Sequence, residues 1–258
     1  MTSRACDIEL SHVRPVFCLS SACGKPAVIM EYLIQHAPVF TTVQFTMNAD
    51  EEVIAQPDSM LSMTTGIELT GAVGKVGAKA SIWGGFKSML GGESFFRAVY
   101  RAKRDGQMLT LAPDSYGDIL ILPLSGLAGY SLTRGSFLAS IGATQMQVTY
   151  GGVKGVMART GLFLLQVSGE GTVFCQTFGA ILERHLQPDE QFVIDNRYVI
   201  AFSTGMKYQM VKASRSISDS LMSGEGFVNK FTGPGTLYYQ SRVKQVPGLL
   251  SYVLNAAT

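Results

Sequence analysis

The feature that most limits the folds open to this chain is its punctuation. Short apolar or alternating runs recur at 39–45, 52–55, 95–100, 108–112, 118–122, 137–141, 162–167, 172–178, 192–194, 198–203, 208–212 and 237–240, cut by clusters of glycine, proline, asparagine and aspartate. Runs this short suit strands joined by turns, and the 28 glycines between them supply backbone freedom for the turns. The pattern predicts an all-β sandwich or barrel and excludes alternating β-α units, whose crossovers need longer helical segments. Helical periodicity is confined to 82–90 and 216–222, both interrupted or bounded by glycine, and to a turn near 249–254. The glycine-rich stretch 66–92, which holds Trp83, reads as a loop or hairpin connection.

The chain also resembles itself. Residues 88–96 (SMLGGESFF) align with 220–228 (SLMSGEGFV), residues 50–55 (DEEVIA) with 189–194 (DEQFVI), and Gly106 with Gly235 before an apolar run. The order is the same in both halves, at offsets of 132, 139 and 129 residues. A period near half the chain points to a duplicated β unit, since solenoid repeats are far shorter. The expected organisation is a flexible leader over 1–27, a first unit over 28–130, a related unit over 131–242 and a tail over 243–258. In each copy a turn carrying a carboxylate leads into an apolar strand. Glu51, Gly92 and Glu93 in the first copy, and Glu190, Gly224 and Glu225 in the second, are therefore expected as turn residues, the glutamates accepting from backbone amides. Their symmetrical placement favours structure over acid-base catalysis, which needs two differently tuned carboxyls in one cleft. Matched register would turn Phe95 and Phe227 inward together.

Only 16% of residues are charged, against roughly 25% in a typical soluble domain, and 47% are apolar. Some surface is expected to be covered, by another copy, a protein partner or a membrane surface met peripherally. A net charge of +2 argues against nucleic acid as the main partner. The best local patch for an anionic partner is Lys87, Arg97, Arg101, Lys103 and Arg104. As a strand, 97–103 would expose Arg97, Val99, Arg101 and Lys103 on one face and bury Ala98, Tyr100 and Ala102 on the other.

No chemistry-bearing motif survives inspection. Cys6, Cys18, Cys23 and His12 are too widely spaced for a structural zinc site, and Cys175 sits in an apolar run as a small core residue. His36 and His185 are expected as surface or structural residues. The stretches 71–75 (GAVGK) and 151–155 (GGVKG) lack phosphate-loop spacing. No catalytic residue, cofactor or metal is expected. The leader carries Arg4 and Arg14 but also Asp7 and Glu9, which leaves the compartment open between cytoplasm and mitochondrion.

A set of residues spread along the chain carries a specific resemblance: Tyr32, Glu51, Pro57, Met60, Met63, LGGESFF at 90–96, Leu111-Ala112-Pro113, Gly117-Asp118-Ile119, Phe137-Leu138-Ala139, Gly161-Leu162, Asp189-Glu190, Val193-Ile194-Asp195, Val199-Ile200-Ala201-Phe202, Gly224-Glu225-Gly226 and FTGPG at 231–235. Over residues 28–242 the chain resembles the altered-inheritance-of-mitochondria family. The resemblance implies a fold like the tryptophan RNA-binding attenuator protein, built of duplicated β-sandwich units with few short helices, and a homo-oligomer, a trimer first. It brings no catalytic residues and implies a scaffold or interaction protein tied to mitochondrial organisation. RNA binding by analogy of fold and a small-ligand pocket are the rival readings. At Asp50 and Asp58 the chain departs from the family, which usually has glycine there.

Overall fold

The structure, a computed structural model, describes residues 30–73, 96–126, 128–133, 135–151, 162–212 and 227–243. The described chain is nearly all β. The first seven strands are β1 (Glu31–Gln35), β2 (Thr42–Met47), β3 (Glu52–Ala55), β4 (Met60–Met63), β5 (Ile67–Val73), β6 (Phe96–Ala102) and β7 (Gln107–Leu111). A central group follows: β8 (Ile119–Leu124), β9 (Tyr130–Thr133), β10 (Phe137–Gly151) and β11 (Leu162–Gln176). The last six are β12 (Ile181–Leu186), β13 (Gln191–Asp195), β14 (Val199–Ser203), β15 (Lys207–Lys212), β16 (Phe227–Thr232) and β17 (Gly235–Gln240), with a 3-10 turn at Asn196–Tyr198.

Three sheets result. One runs β1-β2-β7-β4, one runs β13-β16-β15, and the largest runs β12-β17-β14-β9-β11-β10-β3-β6-β5, with β8 also on β11. Strands β2-β7-β4 and β3-β6-β5 share one core, in which Phe45, Met47, Val53, Leu109 and Leu111 are fully buried and Tyr100 nearly so. Strands β12-β17-β14 and β13-β16-β15 share another, around Phe202, Phe231 and Leu237. Between them the large sheet carries a third cluster around Leu122, Leu132, Val173, Cys175 and Ile200. Each core is thus closed by two three-stranded layers, and the long β10–β11 pair ties one layer of each to the other.

The pairing in the last six strands repeats that of β2–β7. β2 and β4 flank β7 as β12 and β14 flank β17; β3 and β5 flank β6 as β13 and β15 flank β16. Registers match as well. Glu52 lies opposite Arg101 and Gln191 opposite Thr232; Ile67 lies opposite Ala102, and the extension of β15 by one residue sets Met206 in the corresponding place. The β4–β7 ladder has an irregularity between Met60 and Ser62, and the β14–β17 ladder has one between Val199 and Ala201. All four ladders are related by shifts of 139 residues for β2–β5, 131 for β6 and 128 for β7. Four buried pairs follow the same shifts, Met47 and Leu186, Ile67 and Met206, Tyr100 and Phe231, Leu109 and Leu237, whereas buried Val43 and Phe45 correspond to exposed Leu182 and Arg184.

Three sequence expectations are corrected here. The sequence alignment placed Phe95 with Phe227 and Gly106 with Gly235, whereas the ladders match Phe96 with Phe227 and Gln107 with Gly235; Phe95 itself lies outside the described residues. A one-residue slip exchanges the faces of a strand, so sequence likeness in the turn ahead of it does not fix its register. The stretch 66–92 is not all loop: Ile67–Val73 is a strand, paired residue for residue with β6, and it takes in Gly71-Ala72-Val73 of the phosphate-loop-like segment. The ladder accommodates Gly71 without a turn there. The segments 162–167 and 172–178 also join into the single strand β11, because Gly169 and Gly171 at φ 106° and 154° let it bend without breaking. The helical candidates at 82–90, 216–222 and 249–254 lie outside the described residues.

Candidate interaction surface

The two carboxylate turns have one geometry. Glu51 accepts from the Asn48 N–H at 2.6 Å and Glu190 from the Gln187 N–H at 2.9 Å, while each glutamate's own N–H donates back to the same residue's carbonyl, at 3.1 and 3.0 Å. Asp50 and Asp189 occupy the left-handed positions of these turns, at φ 68° and 63°. Asp58, at φ 63°, does so in the turn before β4. Aspartate tolerates this region better than most residues, and glycine best. That accounts for the two departures from glycine at Asp50 and Asp58. Glu190 is also held by Arg184 Nη2 at 2.8 Å, and its carboxyl lies below the ordinary range, first because of the Gln187 N–H and then because of Arg184. Gly92, Glu93, Gly224, Glu225 and Lys87 lie outside the described residues.

The basic strand is only partly as expected. Tyr100 and Ala102 turn inward and Arg101, Lys103 and Arg104 are exposed. Arg97, however, is 8% exposed, and burial lowers its pKa from the ordinary arginine value. It lies near the start of β6, opposite Ala72 of β5 and one residue beyond the β3 ladder, which ends with Ala55 opposite Ala98. Arg101 donates to Glu52 Oε1 from Nε at 2.7 Å, and Lys103 forms an ion pair with Glu68. Acidic side chains from β3 and β5 thus meet two of the exposed cations across the ladder. The alternation was legible in the sequence; the cross-strand carboxylates were not, because they come from other segments.

The remaining candidates have structural surroundings. Cys175 is fully buried, and desolvation pushes its thiol well up, away from the thiolate that nucleophilic work requires. His185 bonds Thr236 Oγ1 through Nδ1 at 2.9 Å and approaches Glu183 through Nε2 at 3.1 Å, on the exposed face of β12. His36 sits at φ 58° in the turn after β1. Among the described residues no three His, Cys, Asp or Glu side chains group to hold a metal ion, and no helix is long and apolar enough to cross a membrane. Cys6, His12, Cys18 and Cys23 lie outside the described residues.

What the sequence reading missed is an apolar edge. Strand β4, Met60-Leu61-Ser62-Met63, is exposed along its whole length and pairs on one side only, with β7. Four residues between two turns gave too little periodicity to read as a strand, although an apolar run after Pro57-Asp58 was a usable signal. Phe40 and Tyr116 stack edge to face at 5.8 Å and are also exposed.

Comparison with known proteins bears on this arrangement. The model of the AIM24 family, described as mitochondrial biogenesis AIM24, matches residues 32–242. The chain belongs to the AIM24 family. Its match takes in every described strand except the first residue of β1. An uncharacterized protein of Streptococcus pyogenes serotype M6 is 31% identical over 230 residues, covering 87% of this chain and 91% of the relative. A crystal structure of another Streptococcus pyogenes protein superposes with a TM-score of 0.69 at 28% identity, over 89% of this chain and 100% of that one. The AIM24 match and both relatives thus extend over the strands of both cores.

Proposed function

We propose that this chain is a non-enzymatic, homo-oligomeric scaffold, built of two duplicated β-sandwich units of the kind seen in the tryptophan RNA-binding attenuator protein. Its role would lie in mitochondrial biogenesis or its bacterial counterpart, by membership of the AIM24 family. The observation that carries the reading is the repetition of four strand ladders at the same shifts, irregularity included, with several core positions coinciding. Unrelated segments have no reason to share register and irregularity together. Two rigid units offer surfaces for other proteins, and a chain with so few charges has surface to cover. The pairing of Arg101 and Lys103 with carboxylates weakens the case for RNA.

Affinity capture of the tagged chain from its own cells, with soluble and membrane fractions kept apart, tests the reading. Stoichiometric recovery of defined protein partners supports it. Recovery of RNA that leaves the protein steeply as salt rises, or of a bound metabolite, would replace it.

A further inference from the structure

We propose that β4 of one copy meets β13 of the next, so that copies of this chain join head to tail through two edges the fold leaves open. The inference rests on the oligomeric reading above and names its surface.

The argument starts from how the chain covers its own edges. Strand β3 of the first unit is covered by β10, with Ala55 opposite Ala139 and Val53 opposite Ile141. Strand β14 of the second unit is covered by β9, with Ala201 opposite Leu132. These contacts make the seam inside the molecule, running from β3 of unit one to β14 of unit two through β10, β11 and β9. By the register shift of 139 residues, the counterpart of β3 is β13 and that of β14 is β4. Those two strands have no second partner among the described residues. The edges that β10 and β9 cover inside the molecule are thus left open at β13 and β4, one in each unit, and a second copy can supply the missing partner to each.

Side chains say the same. Ile200 is 0% exposed and its counterpart Leu61 is 61% exposed; Val199 and Phe202 are buried, and their counterparts Met60 and Met63 are exposed. The first unit carries apolar side chains at the positions that the second unit buries. Val193, at the middle of β13, is 53% exposed, whereas its counterpart Ile54 is partly buried against the central cluster.

The other edge strands are defended as free edges usually are, by charge or proline. β1 carries Glu31, β5 Glu68, β12 Glu183, Arg184 and His185, β15 Lys207 and Lys212, and β8 Pro123. β4 carries no charge and no proline, and β13 has only its terminal Asp195, which is engaged by Arg197 Nη2 at 2.6 Å. A head-to-tail contact between different edges repeats from copy to copy, and where the rotation closes into a ring it leaves neither β4 nor β13 exposed.

The test uses the full chain with Cys6, Cys18 and Cys23 changed to Ser, Cys175 being buried. Light scattering of the native chain should give a multiple of the chain mass, and Leu61→Lys with Met63→Lys should reduce it to one chain with an unchanged circular dichroism spectrum. Oxidation of the double variant Leu61→Cys, Val193→Cys should give a covalent ladder on a non-reducing gel, and neither single variant should link. Self-linking of Leu61→Cys alone, or absence of linking in an assembled double variant, would overturn the assignment while leaving the oligomer intact. Unchanged mass in the lysine variant together with lost binding to anionic vesicles would give the edge to a membrane surface and also overturn it. A native chain that is monomeric at every concentration would remove both the oligomeric reading and this one.

Discussion

At the scale of single residues, the turns fix more than the strands do. Glu51 satisfies the Asn48 N–H at a tight connection, so Glu51→Ala should destabilise the chain by about 1 kcal/mol in urea unfolding, from the loss of one hydrogen bond. For Glu190 the effect is visible in pH. Its folded-state pKa lies below the ordinary 4.5, so its contribution is present above that pH and is lost as pH falls through the folded value. The melting temperatures of the native chain and Glu190→Gln should differ at neutral pH and converge as acid protonates the carboxyl. A melting-temperature gap that persists at low pH would assign the effect to packing. Asp50 and Asp58 hold left-handed backbone with side chains that gain little from it, so Asp58→Gly should leave stability unchanged or raise it by under about 1 kcal/mol. Gly142 is the opposite case: at φ 85°, an added Cβ would lie 2.8 Å from the Gly171 Cα in the facing strand. Gly142→Ala should cost about 1 to 3 kcal/mol, read by thermal melting.

At the scale of elements, β11 is the strand on which both cores depend. Its Phe174 stands edge-on to Tyr32 at 4.9 Å and to Phe45 at 5.2 Å, while Val173 and Cys175, one residue to either side, face the central cluster. Alternation within one strand thus serves two cores at once. Phe174→Ala should cost about 3 to 5 kcal/mol in denaturant unfolding, and a loss below about 1 kcal/mol would mean that the first core closes without it. The same logic separates β14 from β4. Phe202 packs against Phe231 at 5.1 Å and Tyr208 at 5.3 Å, so Phe202→Ala should be as costly, whereas its counterpart change Met63→Ala should leave the stability of an isolated chain nearly untouched.

At the scale of the whole molecule, the described strands close their cores against one another. Two layers close each core, and the long pair β10–β11, with β9, carries hydrogen bonding from one to the other. Buried Cys175 should resist alkylation in the native chain and react only on unfolding, which intact-mass measurement with and without denaturant would show. What the sequence determined by itself was local: strand-length apolar runs, glycine and aspartate at turns, and likeness between the halves, because period and turn chemistry act over a few neighbours. It also placed Tyr100 and Ala102 on the inner side of β6 by alternation alone. Only the tertiary structure decided the register of Phe96 with Phe227, the burial of Arg97, the carboxylates that meet Arg101 and Lys103, and the exposure of Leu61 where Ile200 is buried. Each of these depends on which distant strand lies alongside, and a ladder's partner is chosen by the packing of the whole sheet rather than by the residues of either strand.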